Sequence, residues 1–138
     1  MDTNIICSFE VIGDPVAQPR HRATKMGGKI RMYLPNAHPV HEWKKRITEA
    51  CAEAHGSSEM VEGPVRLEMT FIFQKPKSRK VSGLKETKPD LDNLMKACMD
   101  AMGQSGVWQD DKQVASVIST KKWAEAFESP RLVVVLRK

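Results

Sequence analysis

The chain has 138 residues, 41% of them hydrophobic and 28% charged, with a formal charge of +5. That length suits a single domain, taken as residues 1–138, with a real core and no room for a second. No apolar run approaches the ~20 residues that would span a bilayer, so a membrane protein is excluded and a soluble, cytoplasmic one is expected.

The opening "MDTNIICSFEVIG" has no basic flank and no long apolar segment, so it reads as a first strand and not as a signal peptide. Gly13-Asp14-Pro15 ends it. Next, "VAQPRHRATKMGGKIRMYL" reads as a basic hairpin turning at Gly27-Gly28. From Asn36 the period becomes helical, with Pro39 suited to a first turn: Val40, Trp43, Ile47, Ala50, Cys51 and Ala54 recur at three and four until Gly56. This is an amphipathic helix of about sixteen residues with Lys44 and Lys45 turned outward.

"VRLEMTFIF", Val65 to Phe73, alternates and then becomes wholly apolar, as a central strand would. A loop from Gln74 to Pro89 follows, long enough to suggest a function. Leu94, Cys98, Ala101 and Met102 mark a second helix, with Gly103 as its expected end. "KQVASVISTKKWA" and "RLVVVLRK" read as the last two strands. Without regular βαβ alternation, the expectation is an α+β fold, with helices packed on a mixed or mainly antiparallel sheet.

Cys7, Cys51 and Cys98 are odd in number, far apart and set among apolar residues, as reduced core residues would be. His38 and His41 form the one close histidine pair and have no cysteine near them, so a structural zinc site finds no support.

The cations are gathered in two runs. Arg20, Arg22, Lys25, Lys29 and Arg31 lie in the hairpin, with Lys44, Lys45 and Arg46 on the helix behind it. Lys75, Lys77, Arg79, Lys80, Lys85 and Lys88 lie in the long loop against one acid, Glu86. Either run alone reads equally well as solvated surface. Two of them flanking an acidic stretch favour a polyanion, since each neutralised phosphate releases counterions.

That acidic stretch is "KPDLDNLMKACMDAMGQSGVWQDDKQV". Asp90 and Asp92, in an extended approach to the helix, would point the same way and repel unless a cation lay between them. Magnesium, a hard ion that takes oxygen ligands, is the natural candidate. The alternative is that Asp92 is a helix cap and Asp90 is simply exposed. Lys96, four residues after Asp92 and four before Asp100, is either part of a surface ion ladder or a charge held beside a metal to stabilise a transition state. Asp110 and Asp111 are either solvated turn residues or the source of a third carboxylate, with one of the two aimed at the site. No G-x-S-x-G, Cys-His pairing or P-loop offers another chemistry.

The stretch resembles the signature of the RusA family of Holliday-junction resolvases. The likeness covers Asp90, Asp92, Asn93, Lys96, Asp100-Ala101, Gly106, Trp108, Asp110-Asp111 and Gln113-Val114. The first strand ending at Pro15, the pair Arg20 and Arg22, the basic hairpin and Tyr33 extend it; the family's proline between the arginines is His21 here. The resemblance implies a homodimeric, bacterial or phage-encoded endonuclease. It would depend on magnesium, with manganese able to substitute, and resolve four-way DNA junctions by paired nicks in recombination and repair. It makes Asp90, Asp92 and Asp111 the metal-binding acids, with Asp110 a less certain fourth, and Lys96 the catalytic lysine. The two basic runs would grip the DNA arms. Nucleases for flaps or forks, and a non-catalytic DNA-binding module, are the alternatives.

Overall fold

The computed structural model describes residues 4–19, 22–26, 29–33, 38–57 and 59–138. Strand β1 (Ile5–Ile12) is followed by a hairpin of β2 (Arg22–Met26) and β3 (Lys29–Tyr33), then helix α1 (Val40–His55). Strand β4 (Val65–Phe73), helix α2 (Leu91–Gln104), a 3-10 turn (Asp111–Gln113), β5 (Val114–Trp123) and β6 (Arg131–Arg137) complete it. The main sheet has the order β1-β6-β4-β5, antiparallel except where β4 and β5 run parallel. An α+β fold with a mixed sheet is what the sequence pattern implies. The expected turn at Gly27-Gly28 lies outside the described residues.

Strand alternation builds the core. Cys7, Phe9 and Val11 of β1, Leu132, Val134 and Leu136 of β6, and Val65, Leu67, Met69, Phe71 and Phe73 of β4 are all buried. Register lines them up in rows: Phe9 opposite Val134, and Val134 opposite Met69. Over this face lie Val40, Trp43, Ile47 and Cys51 of α1, and Leu94, Ala97, Cys98, Ala101 and Met102 of α2, spaced three and four apart. Each fully buried side chain of leucine size contributes ~1.5–3 kcal/mol. Truncating Ile47, which has no exposure, would cost ~2–5 kcal/mol through the cavity left behind. All three cysteines are free and buried, and burial pushes the Cys98 thiol well up. The opposite sheet face carries ion pairs, Arg137 with Glu68 at 3.0 Å and Arg131 with Glu10 at 3.4 Å.

The core rows fade at β5. Leu67, Met69 and Phe71 pair with Val117, Ser119 and Lys121, so the face that is apolar on three strands becomes mixed on the fourth. Val117 is 38% exposed, and Ala115 to Ile118 are exposed on both faces. Helix α2 packs along α1 and touches β5 only lightly.

Two local expectations need correction. Helix α2 begins at Leu91, so Asp92 already lies in its first turn, and Asp90 is the N-cap residue. The two acids are therefore not an extended pair. Nor does Gly103 end the helix, which continues to Gln104. Gly103 is small because Trp108 crosses it: a Cβ there would lie 3.4 Å from the indole Nε1. The left-handed turn belongs to Gly106, with φ +83°.

Candidate active site

The loop from Gln74 to Asp90 delivers the chain to the start of α2, and β5 fastens it. The Lys85 N–H donates to the Lys121 carbonyl and the Trp123 N–H to the Gly83 carbonyl, both at 2.9 Å. Gly83 to Lys85 thus lies as a short strand along the outer edge of the last part of β5, with Leu84 bridged to Lys122. The Lys121 ammonium then donates to the Thr87 and Pro89 carbonyls at 2.6 and 2.8 Å. These are charge-assisted bonds at the doorstep of Asp90.

Much of the loop's positive charge is spent internally. Arg79 makes a two-pronged contact with Glu86 at 3.0 and 3.3 Å and lies over the Trp123 ring at 5.1 Å. Its guanidinium holds the Glu86 carboxyl below the usual range. Lys85, expected among the phosphate-gripping residues, is instead 8% exposed. Its ammonium lies 4.2 Å from the Trp123 ring centre and 5.2 Å from that of Phe73, and donates to the Thr87 hydroxyl. Burial, and then the charge on Lys121, push its pKa down. Lys75 donates to the Ser82 hydroxyl. Lys77, Lys80 and Lys88 remain exposed.

At the start of α2, Asp90 is extended and its side chain makes no capping hydrogen bond. Asp92 is exposed in the first turn, where the helix dipole favours negative charge. Lys96 is exposed one turn on, and among the described residues Asp90, Asp92 and Lys96 make no ion pair. Asp90 opens onto a cleft of about 590 Å³ walled by Pro15, Val16 and Pro19, with Gln18, His38 and Asn93 as polar groups. The Gln18 N–H donates to the Asn93 carbonyl at 3.0 Å, tying the chain after β1 to α2.

The second pair of acids lies elsewhere. Gln113 builds their turn: its Oε1 accepts from the Gln109 and Asp110 N–H groups at 2.9 and 3.1 Å. Its Nε2 donates to the Val61 and Gly63 carbonyls at 2.8 and 3.1 Å. The Asp110 carboxylate accepts from the Lys112 N–H at 2.8 Å, and that bond holds its pKa below the ordinary range. Asp110 is thus occupied as a cap, while Asp111 is exposed beside it. Both border a hollow of about 480 Å³ shared with Met99, Asp100 and Gly103. Lys44, expected to turn outward, is half-buried there and pairs with Asp100 at 3.6 Å.

The four acids therefore form two groups. The hollow with Asp111 lies against Asp100 to Gln104, ~15–20 Å along α2 from Asp90 at 1.5 Å per residue. Among the described residues, no three His, Cys, Asp or Glu side chains lie close enough to hold a metal ion. A magnesium ion ringed by Asp90, Asp92 and Asp111 does not fit a single chain, because its ligand bonds are near ~2.1 Å.

In the hairpin, Arg22 is opposite Tyr33, Thr24 opposite Arg31, Lys25 opposite Ile30, and Met26 opposite Lys29. Arg20 and His21 lie outside the described residues. Two positioning residues escaped the sequence reading. Gln113 is matched to a motif without a role, and Lys121 lies in a segment read only as a strand. A lysine in phase with Trp123, on the core side of β5, was the available signal.

A sheet backed by two helices thus presents, at a helix start, carboxylates without ion pairs among the described residues, with the exposed Lys88 and Lys96 close by in sequence. Among the described residues, no helix is long and apolar enough to cross a membrane. Residues 13–137 match the family described as Endodeoxyribonuclease RusA. The chain belongs to the RusA endodeoxyribonuclease family. It is similar to the uncharacterized protein YqaN of Bacillus subtilis (strain 168), 30% identical over 141 residues, covering 94% of each chain. It is also similar to the crossover junction endodeoxyribonuclease RusA of Lactococcus phage r1t, 26% identical over 122 residues, covering 86% of this chain and 82% of the relative.

Proposed function

We propose that the protein is a divalent-ion-dependent endonuclease that resolves four-way DNA junctions by paired nicks, acting in recombination and repair. The observation that carries this is the state of Asp90 and Asp92. In a chain of the RusA family, they stand exposed or facing a cleft, without ion pairs among the described residues, beside exposed cations. Carboxylates kept only for helix capping would be hydrogen-bonded to the helix N–H groups.

Asp90 and Asp92 are the metal-binding acids that one chain offers at this point, magnesium being the expected ion and manganese its substitute. Asp111, held apart from them within one chain, is the third carboxylate in the dimer, since Asp110 is engaged as a cap. Lys96 carries positive charge toward the reacting phosphate. Lys77, Lys80 and Lys88, with Lys75 and Arg79 behind them, meet one DNA arm, and the hairpin's Arg22, Lys25, Lys29 and Arg31, with Arg20, meet another. The working form is a homodimer, because a symmetric junction requires two cuts related by a twofold axis. A source in bacteria or their phages agrees with the two relatives.

The test is incubation of the purified protein with a synthetic four-way junction, with and without Mg²⁺. Nicks near the crossover are expected. Asp90→Asn should slow them ~100-fold or more, with unfolding unchanged because Asp90 makes no side-chain cap bond. Equal cutting by wild type and Asp90→Asn would remove the mechanism. Preference for linear or forked DNA in competition would redirect it to other branched substrates, and binding without cutting would leave a DNA-binding module.

A further inference from the structure

We propose that Phe127, at the tip of the turn between β5 and β6, is a stacking platform for a base left unstacked at a DNA branch point, and that it sets a preference for branched over linear DNA. This rests on the nuclease reading for the identity of the ligand. It adds a binding residue outside the acids and outside both basic runs.

Phe9, Phe71 and Phe73 are buried, whereas Phe127 is 108% exposed, as open as in an isolated extended chain. A single exposed apolar side chain is common on protein surfaces. The backbone sets this one apart, because Phe127 has φ +66°, the one positive value on a non-glycine residue among the described residues. The Glu128 N–H donates to the Glu125 carbonyl at 2.9 Å, so Phe127 holds the third position of a four-residue turn. Where that position needs positive φ, glycine or asparagine is the usual occupant. A bulky ring there strains the backbone and gains no packing in return, so folding does not account for it.

The mount is firm. The Glu128 carboxylate accepts from the Glu125 N–H at 2.8 Å and pairs with Arg131 at 3.2 Å. Both feet of the turn are fastened: the Ala124 N–H donates to the Phe73 carbonyl at 2.8 Å, and the Gly13 N–H to the Pro130 carbonyl at 2.9 Å. A ring held this way loses little further freedom on binding.

Position and charge select the ligand. Strands β1, β4 and β5 end, and β6 begins, at the sheet end where this turn lies, and the loop leading to Asp90 departs from that same end. Lys121, which holds the Thr87 and Pro89 carbonyls, precedes Ala124 by three residues, ~10 Å along β5. At the base of the turn, Phe127 shares a hollow of about 430 Å³ with Gln74 and Lys75. The turn's acids do not fence the ring from a polyanion, since Arg131 meets the charge of Glu128, and Glu125 borders the same hollow as Lys75. An aromatic face beside cations is the combination that takes an exposed base of a nucleic-acid strand. Inside a linear duplex both faces of every base are covered by its neighbours. A branch point interrupts that stack and opens a face.

The test measures binding without divalent ions, so that it does not depend on cutting, using a four-way junction and a linear duplex, both with hairpin-closed ends. Wild type should prefer the junction. Phe127→Ala should lose about tenfold in junction affinity while its affinity for the linear duplex, set by phosphate contacts, stays unchanged. Phe127→Trp should keep the preference. Phe127→Gly should lose it, yet melt at or above the wild-type temperature, because glycine accepts the positive φ; this separates a lost stacking face from a damaged fold. Full junction preference in Phe127→Ala overturns the stacking role and leaves the ring to a protein partner. Equal losses on both DNAs overturn it as well, and in either case the nuclease reading stands. A wild type that does not prefer the junction removes the junction reading and this assignment together.

Discussion

Replacing Gln113 with leucine keeps the side-chain volume and deletes four hydrogen bonds at one stroke. Two are donated to the carbonyls of Val61 and Gly63, and two are accepted from the N–H groups of Gln109 and Asp110. A neutral hydrogen bond contributes a net ~0.5–1.5 kcal/mol. Three of these are exposed and water can take them over, whereas the Val61 bond is partly buried. The low end for three and the high end for one gives roughly 2–3 kcal/mol. Urea unfolding of Gln113→Leu should therefore show a midpoint lowered by about 1 M with an unchanged slope. The turn presenting Asp111 loses its frame as well, so junction nicking should fall at least about tenfold while junction binding holds. A stability loss below ~0.5 kcal/mol would refute the assignment of Gln113 as the tie between this turn and the strand before β4.

Lys85→Met addresses the buried ammonium between Phe73 and Trp123. Burial and the neighbouring Lys121 and Arg79 lower its pKa from 10.5, against the opposing charges of Glu86 and Asp14. The unfolded chain therefore binds more protons between the lowered value and 10.5, and stability rises with pH across that window. Lys85→Met should flatten the rise; parallel stability curves up to pH 10.5 would disprove the burial effect. Gly106→Ala forces an alanine to φ +83° and should cost ~1–2 kcal/mol, read as a lower melting temperature. An unchanged melting temperature would show that the turn relaxes.

What the sequence made legible was set by periodicity. Strands β1, β4 and β6 and helix α1 each bury one face against a shared core, and that requirement writes a pattern of two or of 3.6 into the residues. Gly103 was misread because a glycine that stops a helix and a glycine that admits an indole are the same letter. Lys85 was misread because composition counts charge and not burial, and two aromatic rings were ready to receive its ammonium. The motif joining Asp90, Asp92 and Asp111 carries an order along the chain but no distance, and a helix of 14 residues intervenes. Strand β5 looked like its neighbours, although its apolar alternation is incomplete on the core side.

The packing of Arg79 and Lys85 against Trp123 also gives the molecule an optical reporter. All three indoles are buried and Arg46 lies over the Trp43 ring, but the Trp123 indole lies beside two cations that both belong to the loop leading to Asp90. Loosening of that loop withdraws both charges from one ring and leaves the other two indoles untouched. The Trp123 share of the tryptophan emission should therefore change, without any label, when the approach to the acids passes from docked to released.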